Sequence, residues 1–482
     1  MSTKAAPAFS SVVPLVRTDT TSPRLTLSTI IASDILAFSL LYWLVLVARH
    51  LISPHYTFEV YSECFPILAL LLAAFWIDDL YPGVLIHPAE EMRRVVACVS
   101  VVFLVFSSFT FVSRSEMLFS RSIYLMAWVM SAPVVLAFRS LTRNFCKKRA
   151  WWGYSAVVLG SGPAAQRVVR SLRANSPGLR ITGVLLEDQV EAWPNDMPVI
   201  LGQFGKNAEM ATGYRADLAI LAVTGKSSTE LRQAIQHYCK GFQRILLLPD
   251  LPGICSMGIV AREVGGELGF EVPQRLFNSS ARVTKRLADF VFSLVILLTL
   301  SPVLLAIAIL IKAGSKGPLM FGHRRQGRDG EEFLALKFRT MVPDAESVLA
   351  AYLKGHPEHR AEWERDHKLK NDPRVTAFGK WLRRYSFDEL PQLWNVLRGE
   401  MSLVGPRPIV KAEIPRYGTG YELYMRVLPG LTGLWQVSGR NNTTYDERVA
   451  FDEYYVRNWS VWFDVYILVR TVKVVLTGEG AY

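Results

Sequence analysis

Long runs of hydrophobic residues, separated by short polar segments, fill most of the first 140 positions of the chain. Four such runs follow one another, at residues 25–47, 60–77, 95–112 and 122–138. Each is close to the ~20 residues that an α-helix needs to cross a bilayer. Asp34 is the single charged residue in the first run, and the third and fourth contain none. This pattern predicts a four-helix transmembrane bundle over residues 25–140, and the alternative of a soluble four-helix bundle would need polar faces that these runs lack.

The distribution of lysine and arginine predicts the orientation of this bundle, because positive residues are enriched on the cytoplasmic side. With a cytoplasmic tail over residues 1–24, the outer loops contain three such residues, Arg49, Arg114 and Arg121. The inner segments then contain ten: Lys4, Arg17, Arg24, Arg93, Arg94, Arg139, Arg143, Lys147, Lys148 and Arg149. Both ends of the bundle are therefore expected in the cytoplasm.

After residue 150 the pattern changes to short apolar runs that alternate with stretches of helical character. The runs "YSAVVLG", "RITGVLLE", "ADLAILAV" and "QRILLLP" read as strands, which predicts a doubly wound parallel sheet and a Rossmann-like α/β domain over residues 150–265. Gly160 and Gly162 follow the first strand, but the third position of the dinucleotide fingerprint is Ala165. The acidic residue expected after the second strand is matched only by Glu187 or Asp188. Binding of a nucleotide and a regulatory or structural role both remain open.

A fifth apolar run, residues 290–311, is long enough to span a membrane. Ser301-Pro302 lies near its middle, and proline kinks a helix. Each arm is about 11 residues, or about 16 Å, which is half of the hydrocarbon thickness. Both ends are basic. We therefore predict a re-entrant helix at about 286–312 that breaks at Ser301 and Pro302, with a kinked span as the alternative.

Composition and charge narrow the class of protein. The 482 residues are 50% hydrophobic and have a formal net charge of +12. This combination favours a membrane protein with a basic cytoplasmic face over a nucleic-acid-binding protein. The five cysteines are scattered, without a CxxC pair, so neither a disulfide framework nor a zinc site is expected.

The C-terminal region, residues 280–482, contains cations beside turns and in a short strand. Lys337 and Arg339 alternate in "FLALKFRTM", so on a strand they would face one partner. Arg407 stands between two prolines in "GPRP", which lowers the entropy lost when its guanidinium binds an oxyanion. Arg440 follows a glycine in "VSGRNN". A single arginine is usually solvated, but four such cations in one region indicate a phosphate-containing substrate.

The segment "SFDELPQLWNVLRGEMSLVGPRP" places adjacent carboxylates, Asp388 and Glu389, before a helical stretch. A capping box from Ser386 to Glu389 is the structural alternative, but it would put Pro391 inside the helix. With Asp388 as N-cap, Pro391 falls in the first turn. Leu390, Leu393, Trp394 and Leu397 would then form an apolar stripe, and Gly399 would end the helix. A carboxylate can attack phosphorus, and its neighbour can hold a divalent ion.

These segments, together with "KRLADFVFSLVILLTLSP" and "PGLTGLWQVSGRN", resemble the bacterial sugar transferases known as monotopic phosphoglycosyl transferases. The resemblance covers the whole chain and implies a membrane protein of α plus α/β class: a four-helix bundle, a Rossmann-like domain and a catalytic domain with a re-entrant helix. It implies transfer of hexose-1-phosphate from a cytoplasmic UDP-sugar to undecaprenyl phosphate, releasing UMP, as the first membrane step of O-antigen, capsule or exopolysaccharide synthesis. Overall similarity favours galactose over glucose, and no individual residue that we identify selects the sugar.

The resemblance also implies roles for individual residues and partners. Asp388 matches the family's nucleophile, and Glu389 its Mg²⁺-linked partner. Lys337, Arg339, Arg407 and Arg440 fall in motifs that the family places around the diphosphate. The expected location is the bacterial inner membrane, with the active site on the cytoplasmic face, contact with membrane lipid and no nucleic acid; a homodimer is left open.

A function of another class is a membrane-anchored regulator or scaffold, in which the middle domain senses a nucleotide and the transferase domain is degenerate. The intact Asp388-Glu389 pair and the uninterrupted arginine motifs favour the enzyme.

Overall fold

The computed structural model places most of the chain in two compact units, Met1–Pro252 and Gly253–Tyr482. The residues it describes are 21–52, 65–112, 121–175, 178–187, 193–203, 216–223, 231, 234–236, 239, 242, 244–249, 259–264, 267–271, 276, 278–314, 316–356, 359–360, 363, 369, 372–438 and 443–477. Each unit is considered by itself below.

Four apolar helices open the first unit: α1 (Pro23–Ile52), α2 (Phe65–Ile77), α3 (Pro88–Val112) and α4 (Arg121–Cys146). Their contacts bury an apolar cluster that includes Phe38, Phe75 and Val99. Three of these helices are long and apolar enough to cross a membrane, which confirms the predicted membrane helices there. The described part of α2 has only 13 residues, and the start of the predicted second run, residues 60–64, lies outside the described residues.

A buried network of charges joins three of these helices. Asp34 on α1, the one charge inside the first apolar run, accepts a hydrogen bond from Arg139 of α4 at 2.6 Å. Arg139 also donates to Glu91 of α3 at 2.9 Å, and Glu91 accepts from Arg143 at 2.6 Å. Asp34 and Arg139 are fully buried. Each charge is therefore paired, as a site away from water requires. Arg139 and Arg143, two of the cations counted in the inner segments, both lie on α4 and pair with carboxylates of α1 and α3.

A five-stranded sheet forms the rest of the first unit. Its strands are β1 (Tyr154–Gly160), β2 (Leu179–Leu186), β3 (Ile200–Gln203), β4 (Leu218–Val223) and β5 (Arg244–Pro249), in the order β3-β2-β1-β4-β5. All four pairings are parallel, which confirms the predicted parallel sheet. Helix α5 (Gly162–Asn175) follows β1 directly. A Cβ atom on Gly160 would lie 2.9 Å from that of Ala222 on β4, so this glycine permits the close approach of the two strands.

The second unit contains three short two-stranded sheets and nine described helices. The strands are β6 (Val260–Val264), β7 (Glu267–Glu271), β8 (Met320–Gln326), β9 (Glu332–Phe338), β10 (Ser402–Val404) and β11 (Gly430–Thr432). The helices are α6 (Ser279–Gly314), α7 (Ala345–Gly355), α8 (Ala377–Arg384), α9 (Gln392–Arg398), α10 (Ile414–Tyr417), α11 (Gly420–Met425), α12 (Leu434–Ser438), α13 (Tyr445–Asn458) and α14 (Val461–Thr477). Single 3₁₀ turns occupy Arg328–Gly330, Phe387–Glu389 and Lys411–Glu413.

Helix α6 is the fourth helix that is long and apolar enough to cross a membrane. It continues through Ser301 and Pro302 without an interruption. Proline has no N–H for the carbonyl of Leu298, but the Ser301 hydroxyl donates to that carbonyl at 2.7 Å. The serine thus satisfies the acceptor that the proline leaves open. The helical structure does not break at this point, and a bend there stays a prediction.

Both ends of α6 pack on the globular part of the second unit. Near its start, Lys285 donates to Asp464 at 2.7 Å, and Asp289 accepts from the Ser402 hydroxyl at 2.7 Å. Near its end, Ile307 and Ile311 pack in one apolar cluster with Phe338 and Leu382. Between these anchors, most apolar side chains are exposed, for example Leu298 at 63% and Leu305 at 64%.

Candidate active site

The hairpin of β8 and β9 presents three basic residues on one face. Phe321 pairs with Lys337 and His323 pairs with Ala335 across the antiparallel strands. Directly opposed residues point to the same side, and side chains alternate along each strand. His323, Arg325 and Lys337 therefore share a face, which we call the basic hairpin face. Of the three, the sequence analysis named only Lys337; the alternation of basic residues in "HRR" is the signal that would have pointed to the other two.

The predicted carboxylates lie in a 3₁₀ turn, and α9 begins only at Gln392. The prediction that Asp388 caps this helix is therefore wrong, since Pro391 occupies the N-cap position and no side chain caps it. Tighter i→i+3 bonds form here instead: Leu393 N–H donates to the carbonyl of Leu390. The predicted end is confirmed, because Gly399 closes α9 with φ of 85°.

The apolar stripe on α9 also differs from the prediction. Leu393 is 1% exposed, as expected, but Trp394 is 52% exposed and Val396 is fully buried in its place. The buried face of α9 therefore contains Leu393 and Val396 and leaves Trp394 on the exposed side. The side chain of Asn395 takes part in the buried contacts, and it fixes the helix to the hairpin.

Asn395 attaches α9 to β9 through a pair of hydrogen bonds to one strand. Its Oδ1 accepts from the N–H of Leu336 at 3.1 Å, and its Nδ2 donates to the carbonyl of Leu334 at 2.8 Å. The side chain is 1% exposed, so these bonds are shielded from water. They hold the turn that carries Asp388 and Glu389 beside the basic hairpin face.

Lys337 and Glu389 form an ion pair, with Nζ 2.6 Å from Oε1. About a third of each side chain is exposed, so the pair is accessible from solvent. The neighbouring Asp388 is only 8% exposed. Burial and the adjacent charge of Glu389 raise the pKa of Asp388 to about 6, against the lowering effects of Lys337 and Arg383. A buried carboxylate with a perturbed pKa beside a charged partner marks a candidate functional site, and such a carboxylate can act as a nucleophile.

The loop that carries Arg407 is held by contacts between main chains. Gly405 N–H donates to the carbonyl of Thr432 at 2.9 Å, and Gly430 N–H donates to that of Pro406 at 2.7 Å. A Cβ atom on Gly405 would lie 2.7 Å from the carbonyl oxygen of Leu428, so a side chain does not fit. The two glycines allow these segments to touch, and they fix the start of "GPRP".

Two buried side chains, Trp435 and Asp452, interact with Arg407. Its guanidinium carbon lies 5.4 Å from the ring centroid of Trp435, and that of Arg448 lies 4.9 Å from the same ring. Asp452, which is 3% exposed, accepts a hydrogen bond from the hydroxyl of Tyr417 at 2.7 Å. Burial raises the pKa of Asp452 to about 7, while Tyr417 and the main chain and charge of Arg407 lower it. Arg407 is therefore positioned by an aromatic ring and a carboxyl group that sequence reasoning did not identify.

The charge of Arg325 interacts both with Glu389, in the turn that carries Asp388, and with Arg407. Burial lowers its pKa, the positive charge of Arg407 lowers it further, and the charges of Glu413 and Glu389 raise it. Its Nη1 atom lies 3.9 Å from Glu413. Burial, followed by the charges of Arg325 and Lys337, lowers the pKa of His323 as well. The site thus contains a basic surface from Lys337 to Arg407, with Asp388 and Glu389 at one end.

Comparison with known proteins identifies the family of this chain. The family model "Bacterial sugar transferase" matches residues 280–478, and the model "CoA-binding domain" matches residues 78–249. A protein of Salmonella typhimurium named "Undecaprenyl-phosphate galactose phosphotransferase" is 36% identical over 409 residues, which are 82% of each chain. The chain belongs to the bacterial sugar transferase family.

Two further relatives also align with this sugar transferase over most of its length. The "UDP-galactose-lipid carrier transferase" of Erwinia amylovora is 34% identical over 81% of this chain and 82% of its own. The "UDP-glucose:undecaprenyl-phosphate glucose-1-phosphate transferase" of Escherichia coli is 32% identical over 74% of this chain and 76% of its own. The family resemblance predicted from the sequence is confirmed.

Two further cations were predicted in the site, Arg339 and Arg440. Arg339 lies one residue beyond the end of β9 at Phe338, so it is not on the strand together with Lys337 as expected. Arg339 donates to the carbonyl of Lys316 at 3.0 Å, and its binding of the same substrate as Lys337 stays a prediction. Arg440 lies outside the described residues.

The carboxylates of the sugar transferase suit Mg²⁺ only together with a substrate. No group of three or more metal-binding side chains occurs among the residues for which the structure gives positions. Mg²⁺ is often held by one or two carboxylates plus substrate phosphates, with water completing its shell. The accessible Glu389 can supply such a carboxylate. The donor set therefore fits an ion that arrives with a diphosphate.

Proposed function

We propose that this sugar transferase moves a hexose-1-phosphate from a UDP-sugar to undecaprenyl phosphate, giving undecaprenyl-diphospho-sugar and UMP. The observation that carries the proposal is the buried Asp388 beside the Lys337–Glu389 ion pair, at one end of a basic surface. A diphosphate needs cations along its length, and the chemistry needs a nucleophile at one phosphorus. The names of the relatives agree with this activity.

In the first step, an oxygen of Asp388 attacks the phosphorus that bears the sugar. The bond from that phosphorus to the bridging oxygen breaks, and UMP leaves with the bonding electrons. The product is a sugar phosphate joined to the Asp388 carboxyl as an acyl phosphate. Arg325 and Arg407, whose charges interact, then bind the departing UMP phosphate, where negative charge develops as the bond breaks.

In the second step, a phosphate oxygen of undecaprenyl phosphate attacks the same phosphorus. The acyl–phosphate bond breaks, Asp388 regains its carboxylate, and a diphosphate joins lipid and sugar. Lys337 is positioned to act in both steps, since it is held beside the reacting carboxylate by Glu389. Bound Mg²⁺, held by Glu389, would screen the negative charge of the phosphates.

The proposed route of the lipid uses helix α6 as a re-entrant membrane helix. Both of its ends pack on the same globular part of the chain, whereas a straight span would carry them to opposite sides of a bilayer. The exposed apolar middle then enters only one leaflet. Asp388 lies beside Phe387, which packs on the cluster at the end of α6. A lipid phosphate at the membrane surface can therefore approach the carboxyl, and the charge distribution of the sequence favours the cytoplasmic face.

The sugar is proposed to be galactose, because two of the relatives that match four fifths of this chain have galactose in their names. A glucose-type relative at 32% identity keeps glucose as the second candidate. We propose no ligand for the middle domain.

The test is UMP release by purified full-length protein in membranes that contain undecaprenyl phosphate, with UDP-galactose and UDP-glucose in parallel. We expect lipid-dependent release that is faster with UDP-galactose, and none from Asp388→Asn. Release from neither sugar would contradict the proposed enzyme and favour a scaffold, while faster release with glucose would overturn the sugar assignment alone.

A further inference from the structure

A cavity lies beside the first turns of α6, on a part of the second unit that the proposed reaction does not use. Its volume is about 570 Å³. Three arginines line it, Arg282 and Arg286 from α6 and Arg328 from the turn between β8 and β9. Its apolar wall includes Leu287 and Phe290. We call it the arginine cavity.

Charge and exposure in the arginine cavity suit a molecule that is anionic at one end and apolar at the other. None of its lining residues is a carboxylate, although the neighbouring Asp329 pairs with Arg328 at 3.0 Å. Leu287 is 63% exposed and Phe290 is 43% exposed. Arg286 is fixed, because its guanidinium donates to the carbonyls of Val396 and Leu397, the latter at 2.7 Å. A phosphate would thus meet a preorganised cation, and a hydrocarbon chain would cover the exposed apolar residues.

The position of the arginine cavity separates it from the proposed reaction. Arg286 contacts the C-terminal end of α9, at Val396. Asp388 lies eight residues earlier in the chain, in the 3₁₀ turn that precedes α9, which at about 1.5–2 Å per residue separates the two main-chain positions by roughly 12–16 Å. A phosphate at Arg286 is therefore too far from Asp388 to react with it. This distance argues against the acceptor lipid in its reactive position and favours a lipid that is not consumed.

We propose that the arginine cavity binds the phosphodiester headgroup of an anionic membrane phospholipid, with an acyl chain along Leu287 and Phe290. The proposal rests on the membrane placement of α6 given under the proposed function. A phospholipid at this position would attach the start of α6 to the headgroup layer, where arginines and apolar side chains are both favoured.

The experiment measures the lipids retained by the full-length protein after transfer into nanodiscs with equal amounts of phosphatidylglycerol and phosphatidylcholine. After brief detergent extraction, native mass spectrometry counts the bound lipids. The test variant is Arg282→Gln with Arg328→Gln, because Arg286 also caps α9 and its loss could unfold the region. Lys354→Gln, at an exposed position on α7 outside the cavity, is the control for loss of one charge.

We expect the wild type and Lys354→Gln to retain phosphatidylglycerol in preference to phosphatidylcholine. Loss of one arginine near a lipid surface should weaken this preference about fivefold, and loss of both about thirtyfold. UMP exchange into UDP-sugar, which needs no lipid, should be unchanged in the double variant. This readout separates the cavity from the catalytic site.

Three results would overturn the proposal. The first is equal retention of both lipids by the wild type, and the second is unchanged phosphatidylglycerol retention in the double variant. The third is displacement of phosphatidylglycerol by added undecaprenyl phosphate, which would make the cavity an acceptor site. If lipid preference follows the prediction while neither UDP-sugar releases UMP, the proposed function fails and the cavity assignment stands.

Discussion

Replacing Asp452 with asparagine should make the protein more stable and less active at the same time. Asp452 is 3% exposed, and burial raises the pKa of its carboxyl to about 7. The pKa of an aspartate in an unfolded chain is about 3.9, so the rise is about three pH units, equivalent to a penalty on the order of 4 kcal/mol for the ionised form. Because the folded-state pKa is the higher one, the contribution of this carboxyl to the free energy of unfolding is greatest at low pH. That contribution falls as pH increases from about 4 to about 7.

Asparagine has no carboxyl proton to lose, so the variant avoids this penalty. At pH 8 Asp452→Asn should unfold at a higher temperature than the wild type, and the difference should shrink as pH falls from 7 to 4. Intrinsic fluorescence during heating, at pH 8 and pH 5, measures both. Glu422→Gln removes an exposed carboxylate from α11 and is the control; it should show neither effect.

Activity should change in the opposite direction. The Asp452 carboxylate lies near Arg407, and hydrogen bonds to charged groups contribute about 1.5–3 kcal/mol. Without it, kcat/KM for the UDP-sugar should fall at least about tenfold at pH 8. A variant that is less stable at pH 8, or whose stability difference does not depend on pH, would refute the reasoning about burial. Unchanged kcat/KM would refute the positioning of Arg407 by Asp452.

Four further substitutions test other parts of the site and fold. Lys337→Met should lower UMP release about 100-fold yet leave the unfolding temperature nearly unchanged, because a pair that is one-third exposed contributes at most about 1 kcal/mol; normal release would remove Lys337 from the site. Arg407→Lys keeps the charge but loses the two-pronged geometry, so KM for the UDP-sugar should rise about tenfold, and an unchanged KM would contradict phosphate binding. Gly405→Ala should destabilise the protein by about 1–3 kcal/mol in chemical unfolding, since its Cβ would meet a carbonyl at 2.7 Å; wild-type stability would show that the loop can move. Gly160→Ala should lower the unfolding temperature without changing kcat, and a loss of kcat in folded protein would give the middle domain a part in the chemistry.

The hydrophobic pattern predicted those parts of the fold in which one local period dominates. The runs that became α1, α3 and α4 are apolar over about 20 residues, and few other structures satisfy the backbone in such a run. The strands of the five-stranded sheet are short, nearly continuous apolar runs between helices. They pair in parallel, as predicted. The candidate carboxylates could be named from the sequence because they lie in one contiguous segment, "SFDELPQLWNVLRGEMSLVGPRP", that resembles a known family.

Contacts between residues that are far apart in the chain could not be predicted from the sequence. Asp34 looked like a lone charge in a membrane helix, but its partner Arg139 lies 105 positions later. Asp452 stands in an unremarkable helix and Trp435 in a quoted segment in which it had no assigned role, and only the fold brings them to Arg407. The start of α9 was misplaced because several 3₁₀ bonds precede the first α-helical residue, a choice that local propensity does not decide.

The central claim is that Asp388 forms a covalent bond with the sugar phosphate before the lipid takes part. The most direct measurement incubates the purified protein with UDP-sugar and labelled UMP in the absence of undecaprenyl phosphate. Two-step transfer predicts that label appears in UDP-sugar, that Asp388→Asn shows no exchange, and that a phosphosugar adduct is found on Asp388 by mass spectrometry. No exchange in the wild type, with UMP formed only after undecaprenyl phosphate is added, would contradict the covalent step and indicate direct transfer with Asp388 as a base.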